Sequence, residues 1–202
     1  RARARAAMTA DILDAARRQL ADVGSAGLSL RAVARELGLA SSAVYRYFPS
    51  RDDLLTALIL EAYDDLGDAV DAALEPIPAG GHLRRWMACA AATRDWAAAR
   101  PHQWALIFGS PVPGYRAPAD TVDPAARVPL ALLGIVAEAA AGGCLEPADA
   151  RGLDPGDEPS RLAAATARIE ELRAALPMLP GGVSDAAAMR AAMGWIHLVG
   201  AI

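Results

Sequence analysis

Residues 30–48 read LRAVARELGLASSAVYRYF, and the order of apolar and polar residues in this stretch predicts two short helices joined by a tight turn. Apolar residues in the first half recur every three or four positions and share one helix face: Leu30, Val33, Ala34 and Leu37. Gly38 follows them, where a residue that readily takes a positive φ ends a helix. This pattern is typical of a helix-turn-helix, whose second helix enters the major groove of DNA.

An ordinary helical hairpin in an all-α core is the alternative, and the flanking segments argue against it. Residues 9–23 have an amphipathic pattern whose apolar side carries Ile12, Leu13, Ala16, Leu20 and Val23. After the hairpin, Ser50 and Asp53 have the spacing of a capping box, which predicts the start of a fourth helix. The apolar face of that helix comprises Leu54, Leu55, Leu58, Ile59, Ala62, Tyr63 and Leu66.

Charge is distributed unevenly along the chain. Residues 1–51 contain nine arginines and four acidic residues, a net charge of +5, whereas the remaining residues carry −9 and the whole chain −4. A basic amino-terminal quarter on an acidic remainder is typical of a protein with a DNA-binding head. We therefore expect double-stranded DNA as a partner.

The arginine-rich start, RARARAAM, is not followed by an apolar segment, so we do not interpret it as a signal peptide. It is either a disordered tail or an arm that reaches DNA phosphates or the minor groove. Two cysteines, Cys89 and Cys144, and the lack of a secretory pattern favour a reducing cytoplasm. The apolar run that ends at Ile202 has no helix cap, so we expect the natural chain to continue.

The chain after residue 70 reads as helices separated by proline and glycine. Helices are predicted at 82–99, from Pro101, and at 128–141, 161–176 and 184–202, with irregular loops at 110–118 and 146–159. The longest apolar stretch, 128–145, contains a proline, a glutamate and a glycine pair, so we interpret it as a buried helix and expect no membrane partner. The predicted fold is all-α, with a three-helix head joined by a long fourth helix to a helical body.

Two stretches of the head resemble the tetracycline-repressor (TetR) family of bacterial transcription regulators: GLSLRAVARELG at 27–38 and AVYRYFPSRDDLL at 43–55. The resemblance covers roughly residues 8–60. It departs from the family at Ala40, where a serine or threonine usually caps the recognition helix, so that Ser41 is the alternative cap. It also departs at Arg51, where the family commonly has lysine.

The body resembles the carboxy-terminal domain type named for a Trp-His-Gly motif. The similar stretches are RPHQWALIFGSPVPGY at 100–115 and WIHLVG at 195–200. Together the resemblances imply a DNA-binding domain at 1–55, with the helix-turn-helix at about 29–48, and a ligand-sensing and dimerising domain at 56–202. The expected dimer forms through the last two helices, 161–176 and 184–202.

Candidate DNA-binding residues follow from their positions in the head. We expect base-edge or methyl contacts from Ser41, Ser42 and Ala43, and phosphate contacts from Arg31, Tyr45, Arg46, Tyr47 and Arg51. Ser29 is expected to cap the second helix and to present its hydroxyl to a phosphate. Packing inside the hairpin is the alternative role of Tyr45.

Candidate effector-binding residues are large or soft side chains in the body and fourth helix: Tyr63, Trp86, Met87, Cys89, Trp96, His102, Trp104 and Phe108. Core packing is the alternative for each. A lining this aromatic, with few charges, would suit an apolar or amphipathic small molecule.

Catalytic and metal-binding patterns are lacking in the sequence, so we expect no enzyme activity, no cofactor and no metal. The three histidines lie far apart, and there is no phosphate-binding glycine loop or nucleophile elbow. An acidic stripe on the fourth helix is interpreted as a solvated face, with a metal site as the alternative: Glu61, Asp64, Asp65, Asp68 and Asp71.

Three hypotheses follow. The first is a cytoplasmic, dimeric repressor that binds a palindromic operator, associates with the nucleoid when DNA-bound, and is released by a small molecule. The second is a DNA-binding protein of the same fold without such a ligand, acting in chromosome architecture or through a protein partner. The third is a helical enzyme with an incidental hairpin.

Overall fold

The computed structural model describes residues 2–145 and 185–202, and the regular structure in these two ranges is helical, which confirms the all-α prediction. The helices are α1 (Ala2–Gly27), α2 (Leu30–Glu36), α3 (Ser41–Tyr45), α4 (Arg51–Leu74), α5 (His82–Ala99), α6 (Pro101–Phe108), α7 (Val122–Ala141) and α8 (Asp185–Gly200), with a 3₁₀ turn at Ala119–Thr121. The predicted loop at 146–159 and helix at 161–176 lie outside the described residues.

The chain divides into two compact units. The first comprises the residues up to Ala69 together with Thr93–Ala126, and the second comprises Val70–Ala92 and the described residues from Arg127 onward. The first unit thus contains more than the predicted DNA-binding domain, because α6 contacts α1. The functional boundary at residue 55 stays a prediction.

The core of the first unit joins the apolar faces of α1 to α4. Its fully buried side chains include Ile12, Val33, Val44, Leu54 and Leu55. The apolar spacing read from the sequence therefore identifies the buried faces of these helices correctly. Val23 is an exception at 56% exposed, since it adjoins a break in α1 at Gly24, whose φ of +70° is not helical.

Local hydrogen bonds hold the turns of the helix-turn-helix. Gly38 has the expected positive φ of +67°, and the following Leu39 N–H donates to Ala34 O at 2.8 Å. The predicted capping box at the start of α4 is present: Ser50 N–H donates to Asp53 Oδ2 at 2.9 Å, and Asp53 N–H donates to Ser50 Oγ at 3.1 Å.

Helix α6 and the proline-rich loop after it pack against the head core through Leu106, Val112 and Tyr115. The Tyr115 hydroxyl lies 2.9 Å from Thr56 Oγ1 on α4, within hydrogen-bond distance. The loop is irregular, as the sequence predicted. The loop is nevertheless anchored by its apolar packing against the head core and by the contact between the Tyr115 and Thr56 hydroxyl groups.

The acidic residues of α4 are exposed or half-exposed, in line with the predicted solvated face, but several of them also have partners elsewhere in the chain. Asp65 accepts a hydrogen bond from Trp96 Nε1 at 3.0 Å and pairs with Arg100 at 2.8 Å. Arg17 pairs with Glu61, and Arg127 with Asp71. Arginines from distant parts of the chain pair with these carboxylates. The helical spacing of the sequence cannot predict such partners, because it relates only residues within one helix.

Helix α7 begins six residues earlier than predicted, at Val122, and continues through Pro129. Pro124 lies in its first turn, where the missing N–H has no helical partner to lose, so this proline is compatible with the helix start. In the second unit, Leu133 and Val136 of α7 pack with Ala187 and Ala191 of α8.

One helical segment of the described residues, Ala119–Ala141, is long and apolar enough to cross a membrane, with 39% of its most apolar window buried in the protein. Length and composition are the only support for such a crossing. A core helix passes the same test, and Leu132, Leu133, Ile135 and Val136 of α7 are buried.

Candidate nucleic-acid interface and effector cavity

The recognition helix α3 buries Val44 completely and directs polar side chains outward. Ser42 and Arg46 are exposed, Ser41 and Ala43 are half-buried, and Tyr45 is 42% exposed instead of packed inside the hairpin. One apolar anchor thus presents the predicted DNA-contacting residues to solvent. Their contacts with DNA stay predictions.

The N-terminal positions of the two head helices differ from expectation. Ala40, not Ser41, occupies the cap position of α3. Ser29 does occupy the cap position of α2, but its side chain makes no capping hydrogen bond. Its backbone N–H instead donates to Gln19 Oε1 at 2.6 Å, which ties α1 to the start of α2.

The arginines predicted to meet phosphate lie in unlike environments. Arg31 and Arg46 are exposed. The half-buried guanidinium of Arg51 donates to three backbone carbonyls at the end of α1 and just after it, at 2.7 Å (Ser25), 3.3 Å (Ala26) and 3.1 Å (Leu28). Arg51 therefore has a structural task that its position at the start of α4 did not reveal.

Tyr47, just after α3, is half-buried against the head core. The guanidinium carbon of Arg5 lies over its ring, 5.3 Å from the ring centroid. Arg5 was not named as a site residue, although the arginine-rich start that contains it was one candidate for an arm that reaches phosphates. Nothing in the sequence shows that the start of α1 returns to the end of the recognition helix.

Five of the predicted effector residues belong to the first unit. Trp96 is buried and His102 is exposed. The rings of Tyr63 and Phe108 meet edge-on with centroids 6.1 Å apart, and Trp104 lies tilted against Phe108 at 4.4 Å. Burial, and secondarily Tyr115, raise the pKa of Tyr63 above its usual value, and its hydroxyl donates to Ile107 O at 3.4 Å.

The second unit contains a cavity of approximately 360 Å³, and Trp86 is the predicted effector residue found in its wall. The lining comprises Trp86, Ala90, Leu132, Gly194, His197 and Leu198. Of the other predicted residues in this unit, Met87 is 60% exposed and Cys89 is completely buried. His197 and Leu198 were missed, although they lie in the 195–200 stretch that carries the carboxy-terminal resemblance.

A close approach of Trp86 to Gly194 shapes one wall of this cavity. A Cβ atom at position 194 would lie 2.3 Å from Cη2 of the Trp86 ring, far inside van der Waals contact. The ring therefore rests on the bare backbone of α8. Glycine is required here for space rather than for an unusual φ.

A charged cluster also lies in the second unit. Arg85 donates through an Nη atom to Glu138 Oε2 at 2.7 Å, and His82 Nδ1 is 4.0 Å from the same oxygen. Among the described residues, the buried Nδ1 atom of His82 and the buried Nε atom of Arg85 have no hydrogen-bond partner. In the part of the chain that the structure describes, no three His, Cys, Asp or Glu side chains are grouped to hold a metal ion.

Two family models match the chain. Residues 12–58 match the amino-terminal model of bacterial regulatory proteins of the TetR family. Residues 86–202 match a model described as the carboxy-terminal domain of tetracycline-repressor-like proteins. The two matches cover the helix-turn-helix and the helices that line the cavity.

Curated relatives include the HTH-type transcriptional regulators Rv1816 of Mycobacterium tuberculosis and Mb1846 of Mycobacterium bovis. Each is 51% identical to this chain over 141 residues, which are 69% of this chain and 60% of the relative. The match therefore spans less than two thirds of these relatives' length.

Solved structures share the fold. The crystal structure of SCO4313, described as a candidate regulatory protein, is 33% identical, covers 99% of this chain and 84% of its own, and has a TM-score of 0.75. A Rhodococcus sp. RHA1 protein of unknown function is 30% identical, covers 93% of each chain, and has a TM-score of 0.59. With its exposed recognition helix, helical body and matches to both family models, the chain belongs to the TetR family of bacterial transcriptional regulators.

Proposed function

We propose that this regulator is a cytoplasmic repressor that binds a palindromic operator as a homodimer and is released by an apolar or amphipathic small molecule. Residues 1–55 bind DNA, and residues 56–202 bind the effector and form the dimer. The observation that carries the proposal is the outward face of α3 and the residue after it, where Ser42, Tyr45 and Arg46 are exposed in a segment of net positive charge. When bound to its operator, the repressor is associated with the nucleoid.

The division of labour at the DNA follows from exposure and chemistry. Ser41, Ser42 and Ala43 open the recognition helix and contact base edges, which gives sequence specificity. Arg31 and Arg46 meet phosphates, which gives affinity but no sequence preference. Arg51 contributes by holding the α1–α2 connection, through the three carbonyls that its guanidinium binds.

Arg46→Ala tests the DNA-binding proposal. On DNA from upstream of the chain's own gene, we expect weaker binding to all sequences and a log–log salt slope smaller by about 0.9 per bound head, as expected for a lost phosphate contact. Arg84→Ala, an equal charge change at an exposed site of the body, is the control and should keep the wild-type slope. An unchanged slope with altered sequence preference would instead make Arg46 a base-reading residue.

Dimerisation is proposed through the carboxy-terminal helices. Met193 and Ile196 lie one turn apart on α8 and are 52% and 66% exposed. A homodimer through this helix would place two heads in successive major grooves, about 34–36 Å apart. The other expected interface helix, 161–176, lies outside the described residues.

Ile196→Glu tests the dimer, because a charge on an exposed position costs the folded monomer little. We expect monomers in sedimentation velocity, unchanged helicity by circular dichroism and weaker operator binding. Leu83→Glu on α5, at a position that is 74% exposed, is the matched control and should stay dimeric. A dimeric Ile196→Glu protein with normal DNA binding would contradict the proposed interface.

Effector binding is proposed in the cavity of the second unit. Its volume lies within the range of about 300–1,000 Å³ found for small-molecule sites, and Trp86, Leu132 and Leu198 supply apolar wall. A ligand that prefers the state with the wrong head spacing lowers operator affinity by its differential affinity for the two states.

Two measurements separate this proposal from a DNA-binding protein without an effector. Loss of a gel shift in the presence of a metabolite mixture supports ligand release. Stabilisation by apolar or amphipathic compounds in a thermal-shift screen supports the chemistry of the cavity, whereas stabilisation by hydrophilic ions alone would count against it.

A further inference from the structure

We propose that the first turns of α1 form part of the DNA-binding surface, with Arg5 seated on the ring of Tyr47 and presented to a phosphate. The proposal rests on the proposed DNA-binding function and adds a contact outside the helix-turn-helix. It starts from the position of the Arg5 guanidinium, 5.3 Å from the centroid of the Tyr47 ring.

The first observation is that these turns are not held by the core. Residues 2–7 of α1 are exposed, and Ile12 is the first completely buried side chain of the helix. Alanine and arginine both favour helix, which suits a helix that extends beyond its packed part. A local bond, from Thr9 Oγ1 to Arg5 O at 3.0 Å, also joins these turns. Burial therefore does not explain the placement of Arg5.

The second observation is the contrast among the arginines of α1. Arg17 pairs with Asp14 and Glu61, and Arg18 donates to Glu36 at 2.6 Å. Among the described residues, no carboxylate pairs with Arg5, whose guanidinium instead lies over an aromatic ring. Its positive charge is therefore not neutralised within this part of the chain.

The third observation is where Tyr47 holds that charge. Tyr47 N–H donates to Val44 O at 2.9 Å, and the adjacent Phe48 is buried, so the backbone that carries the ring is anchored at the end of the recognition helix. Arg46, the exposed candidate phosphate contact, is the preceding residue. The Arg5 contact thus brings the start of α1 to the proposed DNA-binding face.

The chemistry of a guanidinium on a ring suits a phosphate contact. Stacking uses the face of the planar group, whereas its five N–H donors lie in the plane at the edge. A guanidinium held over an aromatic ring can therefore still donate to two phosphate oxygens. The ring restricts the long arginine side chain before DNA arrives, which lowers the entropy lost on binding.

The test compares Arg5→Ala with Arg3→Ala. Two residues along a helix correspond to a rotation of about 200°, so Arg3 points away from the face that carries Arg5, while its removal changes the charge equally. For Arg5→Ala we expect the log–log salt slope to fall by about 0.9 per head, and affinity at 0.15 M salt to fall about fivefold per head, on any DNA sequence. For Arg3→Ala we expect a smaller change in both.

Two further variants examine the role of the ring. Arg5→Lys keeps the charge and should restore the slope. In a Tyr47→Ala background, removing Arg5 should cost less affinity than in the wild type, because the ring no longer positions the guanidinium. Thermal unfolding without DNA checks that Arg5→Ala keeps its fold, as expected for an exposed side chain.

The outcomes distinguish this inference from the function on which it rests. Equal salt slopes for Arg5→Ala and Arg3→Ala, with normal wild-type binding, would overturn the contact and leave the DNA-binding function intact. Lower stability of Arg5→Ala with a wild-type slope would show that the pair only supports the fold, which also overturns it. No DNA binding by the wild-type chain would overturn both.

Discussion

At the scale of single residues, the same side chain has different roles in different surroundings. Arg46 is exposed beside the recognition helix, Arg51 binds backbone carbonyls, and Arg5 lies over a tyrosine ring. Residue type and position in a motif therefore do not suffice to assign a DNA contact. The distinction depends on which groups the remainder of the fold places within reach.

Gly194→Ala should destabilise the protein, although alanine usually favours a helix over glycine by about 1 kcal/mol. The new Cβ would meet the Trp86 ring at 2.3 Å, and overpacking of this kind costs about 1–3 kcal/mol. Gly134→Ala on α7, where a Cβ meets nothing within 4 Å, should raise the free energy of unfolding. Urea unfolding checks both, and a Gly194→Ala protein stabilised as much as the control would contradict the steric argument.

The raised pKa of Tyr63 predicts that the folded protein loses stability at high pH. Burial and Tyr115 raise the pKa of Tyr63 in the folded state above that of the unfolded chain, about 10. The folded state therefore binds more protons, so this stabilisation is complete below pH 10 and is lost as the pH rises through the folded pKa. Urea unfolding between pH 9 and 11 should show a smaller fall for Tyr63→Phe than for the wild type, with the exposed Tyr45→Phe as control. Equal falls in all three proteins would exclude this role.

At the scale of helices, the head is held by contacts at helix ends as well as by its core. The capping box starts α4, Gln19 meets the start of α2, and Gly38 ends the first helix of the motif. The position of α3, and with it of the candidate DNA-binding face, therefore depends on hydrogen bonds outside the helix interiors.

Arg51→Ala should lower the stability of the head, because it leaves the carbonyls of Ser25 and Leu28 without their charged donor. Hydrogen bonds to charged groups are worth about 1.5–3 kcal/mol, and the half-buried setting places the expected loss near the lower figure. The matched control is Arg46→Ala, which removes the same charge from an exposed site and should unfold at the wild-type urea concentration. Equal stability of the two variants would contradict this structural role and leave Arg51 with only its predicted phosphate contact.

At the scale of the whole molecule, a basic segment that contains the helix-turn-helix and an apolar cavity occur in one chain. Residues 1–51 carry a net charge of +5, whereas the cavity in the second unit is lined by tryptophan, leucine and a single histidine. Helices α4 and α5 each contribute residues to both compact units. A regulator needs a site for DNA and a site for its signal, and this chain has a candidate for each.

Ala90→Leu should uncouple effector binding from DNA binding, since a larger side chain on the cavity wall reduces the volume open to a ligand. We expect normal operator affinity, no release by the metabolite mixture, and loss of the thermal stabilisation that effector compounds give the wild type. Ala98→Leu, an exposed position of the same helix, is the control and should respond as the wild type does. Release of Ala90→Leu by the mixture at wild-type concentrations would place the effector elsewhere.

The sequence alone determined the features that depend on near neighbours. Apolar spacing predicted the buried faces of the head helices, and Gly38 predicted the turn of the helix-turn-helix. Ser50 and Asp53 predicted the start of α4, and the pattern of residues 82–99 predicted the bounds of α5. These features follow from helix geometry and from hydrogen bonds that span three or four residues, so the local order of residues is sufficient.

Only the tertiary structure decided which distant residues meet. Arg51 on the α1–α2 carbonyls, Arg100 on Asp65, Arg5 on Tyr47 and Trp86 on Gly194 each join positions that no local period relates. Such contacts depend on how the helices pack, and packing is set by the shape of the whole core. The candidate DNA-binding face could therefore be predicted in outline, whereas the cavity and the role of each arginine could not.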